Sequence, residues 1–219
     1  MRDSATSMTI VALALVGSAD CLTAQPNRPQ PSPATVATAK VEKVREMLND
    51  IAWSALQPAS QQIEIRRPLM EMGEDAFPAF EVLLADRETK PHIVRAAIEV
   101  LIAIKVDRKR FTDLVGGRLA DEDWGVQWKA LVLLGQIGSE QDSAPVVALL
   151  SAKEINVHYA AADTLSKIGG KRELVAMNAW LKAGGADRKD EDFVWHVKKC
   201  RDELEKRLKD KPIPKDLKD

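Results

Sequence analysis

Cys200 follows His196 by four residues in the stretch WHVKKC, a spacing that sets a thiol and an imidazole on one face of a helix. A nucleophilic thiol needs such a neighbour, because an imidazole within reach can take its proton. The surrounding segment supplies Lys, Arg, Asp and Glu, and Cys200 falls on an apolar stripe with Phe193, Val197, Leu204 and Leu208. Cys200 therefore reads as a small core residue. His92 and His158 stand alone, and none of the three histidines has a sequence partner in a metal-binding motif: there is no H-E-x-x-H and no paired Cys. No catalytic residue, metal ligand or cofactor-binding residue is assigned, and a non-enzymatic protein is expected.

Two acidic triplets, Asp121 to Asp123 before Trp124 and Asp190 to Asp192 before Phe193, lack the spaced oxygens and the glycine of a calcium loop. Both precede apolar helical patterns, where a carboxylate accepts from free N–H groups and favours the helix dipole, so capping is expected of them. Glycine patterns for nucleotides and for a nucleophile elbow are absent. Gly116-Gly117 and Gly184-Gly185 read as bends between helices.

The elements that carry these residues repeat. Counting from Val126, the segment VQWKALVLLGQIG puts Ala130, Leu131, Leu134 and Ile137 on one helical face and stops at Gly138. Val157, Ala161, Leu165, Ile168 and Gly169 fill the same slots in the next copy; Ile93, Ala97, Leu101 and Ile104 fill them in the copy before, with Lys105 where the glycine would stand. A small Ala at the fifth slot lets neighbouring helices approach closely. Second helices follow from Asp75, Arg108, Ser143 and Arg172, with Ser139 and Asp142 forming a capping box and Pro145 early in its helix. A pair this short cannot bury its apolar face alone and must stack on its neighbours. The expected fold is all-α: a right-handed α-solenoid of four to five antiparallel helix pairs spanning residues 37–210. Polar-faced helices close it at Val41 to Ala55 and Phe193 to Leu208, and residues 211–219 form a tail.

The pattern V-x-x-x-A-x-x-x-L-G-x-I-G at Val126 to Gly138, followed by APVVALL, resembles HEAT-like repeats of the short phycobilin-lyase type over roughly Gln61 to Leu208. That resemblance implies stacked helix pairs and a role among lyase subunits, scaffolds or adaptors. Many such repeats carry Arg at the second slot, paired with an Asp before the helix; here the slot holds Val94, Gln127 and His158, so that ladder is missing.

Upstream, the apolar run Met8 to Val16 with small residues after it suits a secretory signal over residues 1–24, too short to span a bilayer. Asp20 before Cys21 argues against lipid attachment there. Four prolines among Gln, Asn and Arg make residues 25–36 a linker. Removal of the signal after Ala24 would leave Cys200 as the single thiol, incapable of an intramolecular disulfide. The expectation is an exported protein, periplasmic or extracellular, with no transmembrane segment once the signal is gone.

Lys plus Arg number 32 against 33 Asp plus Glu, so no overall basic surface invites nucleic acid. Asp123 with Trp124 and Trp128 is similar to the Asp-and-aromatic grip of helical-repeat DNA glycosylases, but the basic groove that grip requires is not evident; Arg108, Lys109, Arg110 and Arg118 read as a solvated helix face. The expected role is a non-enzymatic scaffold that binds a protein partner along an extended surface, with a phycobilin-lyase-like enzyme subunit as the alternative and a nucleic-acid binder as the remote one. The third slot of the first helices holds Arg95, Trp128, Tyr159 and, in phase from Phe193, Trp195, residue types that anchor interfaces; these four are the candidate partner-binding row.

Overall fold

The computed structural model describes residues 33–104, 108–185 and 191–211. The expected signal and most of the proline-rich linker lie outside these residues, as do Lys105, Asp190 and the tail beyond Lys211. Among the described residues there is no strand, and no helix is long and apolar enough to cross a membrane.

The chain is an α-solenoid of two rows. Helices α1 (Pro33–Trp53), α4 (Pro91–Ile104), α6 (Trp124–Ile137), α7 (Ile155–Ile168) and α9 (Glu191–Leu208) pack side by side in sequence order. Behind them run α3 (Phe77–Ala85), α5 (Arg108–Gly117), the 3-10 helix Ala144–Ser151 and α8 (Lys171–Trp180). One more helix, α2 (Ala59–Met72), belongs to neither row and packs on α1 and α4. The sequence does not announce it: Pro68 interrupts its interior, and Leu69 is the one residue it buries fully.

The repeating apolar face explains the stack. Ala97, Ala130 and Ala161 are wholly buried at the fifth slot, where a larger side chain would push adjacent first helices apart. Leu101, Leu134 and Leu165, also wholly buried, continue the seam, and one apolar cluster runs from Val44 in α1 to Leu208 in α9. Each buried Leu contributes about 1.5–3 kcal/mol relative to an exposed one.

Several local expectations hold. Asp123 caps α6, its Oδ1 accepting from the Val126 N–H at 2.9 Å, and Ser139 with Asp142 forms the expected capping box. Gly138 and Gly169 end α6 and α7, but not by a left-handed turn: their φ angles are −72° and −59°. A Cβ at either position would stand 2.6 Å from the carbonyl oxygen of Leu134 or Leu165, so the glycines serve close packing of the chain on its own last turn.

Other expectations are corrected. Helix α1 begins at Pro33, inside the expected linker, because proline suits a first helical turn that has no use for its missing N–H. Gly116 and Gly117 are the last turn of α5 rather than a bend, and Gly184 and Gly185 lie in the π-helical turn Leu181–Gly185. The segment from Ala144 winds as a 3-10 helix. Arg118 is not solvated: it is 1 % exposed, and its guanidinium donates to the carbonyls of Leu84, Leu83 and Asp86 at the end of α3.

Candidate binding face

Arg95 and Trp128, two of the four third-slot residues, line one cleft of about 430 Å³ between α1, α2, α4 and α6. Trp124, one helical turn before Trp128, lines the same cleft, so α6 presents both indoles on one side. The two residues are 43 % (Trp124) and 37 % (Trp128) exposed, although α6 is packed on its other sides. The guanidinium of Arg95 lies 3.7 Å from the capping carboxylate of Asp123.

Glu99 accepts from Arg66 of α2 and, at 3.1 Å, from Lys129 of α6. Lys129 also stands 5.0 Å from the Trp128 ring centroid, within cation–π range. Three cationic side chains, Arg66, Arg95 and Lys129, therefore line the cleft against two carboxylates, Asp123 beside Arg95 and Glu99 between the other two. His92 closes one side, its Nε2 3.3 Å from Asn49 Oδ1 and its ring 6.1 Å from that of Trp53. Burial, with Lys90 and Arg95 nearby, holds the His92 imidazole below its ordinary pKa and favours the neutral ring.

The other two third-slot residues part company. Tyr159 and Trp128 flank a smaller cleft of about 150 Å³, and the Tyr159 ring packs against Phe193 and His196 at centroid distances of 5.2 Å and 4.8 Å. Trp195 lines a separate surface hollow with Lys198, Lys199 and Asp202, 64 % exposed, with the Lys199 ammonium 5.7 Å from its ring. That hollow lies on the side of α9 opposite its apolar stripe, so Arg95, Trp128 and Tyr159 connect through two adjoining clefts and Trp195 stands apart.

Beside Tyr159 the structure assembles a group that the sequence did not reveal. His196 and Cys200 of α9 meet Asp163 of α7: His196 Nε2 lies 3.0 Å from Asp163 Oδ1, and Cys200 Sγ lies 3.5 Å from each of them. Cys200 is buried, as its apolar stripe implied, but its sulfur faces polar partners. Burial first, and the Asp163 carboxylate second, push its thiol up to about 12. Such a shift holds the proton on the sulfur more tightly than in a free thiol, the opposite of the activation a nucleophile needs.

Nothing in the sequence near Asp163 marks it, because its contact crosses between helices. The repeat phase holds the signal: the seventh slot of one first helix meets the fourth slot of the next. Glu99 reaches Lys129 this way, and Asp163 reaches His196.

A family model described as HEAT repeats matches residues 112–191. No curated protein matches the chain. Among solved structures, the crystal structure of an engineered protein is similar at 19 % identity, covering 80 % of this chain and 85 % of that one with a TM-score of 0.37. The matched repeats span α5 to α8, where one helix pair stacks directly on the next, so over those residues the chain is similar to HEAT repeats.

Proposed function

We propose that this protein is an exported, non-enzymatic interaction module that docks a protein partner on the cleft between α2, α4 and α6. The observation that carries the reading is the pair Trp124 and Trp128, large apolar rings held partly in water on a cleft that also presents Arg66, Arg95 and Lys129. Trp and Arg dominate binding energy where they are desolvated by a partner. The surplus of cations over carboxylates favours a partner segment that brings an acidic side chain next to apolar ones. Repeats of this kind lend themselves to such extended contacts, and the short V-x-x-x-A pattern keeps the phycobilin-lyase type as the nearest family subtype in this reading.

Affinity capture from the cell envelope of the source organism tests it, with wild type compared against the double variant Trp124→Ala, Trp128→Ala. A protein retained by wild type and lost by a variant of unchanged circular dichroism supports docking at this cleft. Equal retention by both, or a double variant that no longer folds, rejects the tryptophans as a surface device. Trp195→Ala, on the separate hollow, is expected to leave capture unchanged.

A further inference from the structure

We propose that Asp163, His196 and Cys200 form a binding site for a divalent transition metal ion, with Zn2+ as the best fit. The first reason is geometric. A tetrahedral Zn2+ with ligand distances of roughly 2.0–2.3 Å separates its donor atoms by about 3.3–3.6 Å. The three donor atoms here are separated by 3.0 Å, 3.5 Å and 3.5 Å, and they come from two helices that the fold already holds side by side. Little movement is needed to place an ion among them.

The second reason is the surplus of donors over what packing requires. The equivalent contact between α4 and α6 is an ion pair, Glu99 with Lys129, which Arg66 of α2 joins, and the residue at the following eighth slot of α6 is the wholly buried Leu133. Between α7 and α9 the fourth slot carries His196 where α6 has Lys, and the eighth slot carries Cys200 where α6 has Leu. A strut between helices needs neither change. Together they convert an ion pair into a thiol, an imidazole and a carboxylate that share one point.

The donor set selects the ion. One thiolate and one imidazole suit Zn2+ and its neighbours in the first transition row, whereas Ca2+ and Mg2+ ask for several oxygens. Coordination replaces the thiol proton, which leaves to solvent, so the sulfur binds as thiolate. Asp163 is half exposed and His196 partly so, which leaves the fourth vertex on the solvent side for water. An ion held there would tie the terminal helix α9 to the last repeat.

The test uses the full chain with Cys21→Ser, stripped by a chelator and titrated with Co2+ as a spectroscopic stand-in for Zn2+. The expected result is one equivalent of bound Co2+, with a thiolate-to-metal charge-transfer absorption and visible bands of tetrahedral intensity, both abolished by Zn2+. Cys200→Ser is expected to remove the charge-transfer absorption. Asp163→Asn, on a half-exposed side chain and so not a threat to folding, is expected to keep that absorption and weaken binding at least tenfold. Thermal melting gives a second readout: the midpoint should rise with Zn2+ up to one equivalent in the Cys21→Ser chain, and not after Cys200→Ser. Absence of the charge-transfer absorption at millimolar Co2+, its persistence after Cys200→Ser, or an Asp163→Asn variant that binds unchanged would overturn the proposal.

Discussion

Arg118 Nη1 and Asp121 Oδ2 form an ion pair 3.0 Å long whose side chains are only 2 % and 15 % exposed. The same guanidinium donates to three carbonyls at the end of α3, 3.0 Å from Leu84 O, 3.3 Å from Leu83 O and 2.7 Å from Asp86 O. One side chain thus terminates a helix of the preceding pair and fixes the turn before α6. Arg118→Met should destabilise the protein by about 3–5 kcal/mol, because it strands a partly buried carboxylate and unpairs carbonyls that water cannot easily reach. Arg118→Lys should recover little, since an ammonium lacks the planar fork that meets several acceptors at once. Urea denaturation midpoints measure both; a variant within 1 kcal/mol of wild type would refute this account.

Gly138 and Gly116 should respond in opposite ways to the same substitution. A Cβ at Gly138 would meet Leu134 O at 2.6 Å and Ile168 Cδ1 at 3.0 Å, one backbone and one a neighbouring repeat. Gly138→Ala is therefore expected to cost about 1–3 kcal/mol. Gly116 sits inside α5 with nothing within 4 Å of a Cβ, so Gly116→Ala should stabilise by about 0.5–1 kcal/mol through helix propensity and a less flexible unfolded chain. Thermal midpoints of the two variants check the signs.

His92 should make stability depend on pH. Its neighbours are Glu88 and Lys90 in the turn before its helix, Arg95 and Glu99 on that helix, Arg45, Glu46, Asn49 and Asp50 of α1, and, across the cleft, Arg66 and Lys129. Burial and the nearby cations lower its pKa in the folded protein. Above the ordinary value of about 6.5 both states hold it neutral and its contribution is complete. Below that the unfolded chain takes the proton first, so stability falls with pH until the folded pKa is reached, where the loss levels off. His92→Gln should flatten the difference in urea midpoint between pH 8 and pH 5 relative to wild type. An unchanged difference would show that other groups carry it.

How far the sequence could be read follows from which contacts are periodic. Leu101, Leu134 and Leu165 recur at a fixed phase, so the first helices and their buried face were legible directly. The turn residues Asp123, Ser139 and Asp142 act within a few residues of their partners, and they too were legible. Helix α2 was not, because a single buried Leu69 sets no period and Pro68 breaks the pattern. The burial of Arg118 is not legible, because nothing local distinguishes a guanidinium aimed at α3 from one in water. The row of third-slot residues divides because its neighbours differ: Arg95 and Trp128 look onto a cleft closed by α2, while among the described residues no helix packs on the far side of α9 to share a groove with Trp195. Asp163 is illegible for the complementary reason, since its partners lie on α9, 33 to 37 residues away in sequence.

Phe193 tests whether the end of the stack is held independently of its middle. Its ring lies 5.0 Å from His158, 5.2 Å from Tyr159 and 5.7 Å from Trp180 by centroids, so one side chain of α9 meets both helices of the pair before it. It is 1 % exposed. Phe193→Ala should remove about 3–5 kcal/mol from that junction. In a solenoid, stability is nearly a sum over repeats and their nearest neighbours, so the loss should stay local. Amide hydrogen exchange is expected to accelerate strongly in α9 and α8, moderately in α7, and little in α1 and α4. Equal acceleration along the whole chain would mean that the helices fold as one cooperative block, and that stacking by nearest neighbours does not describe this molecule.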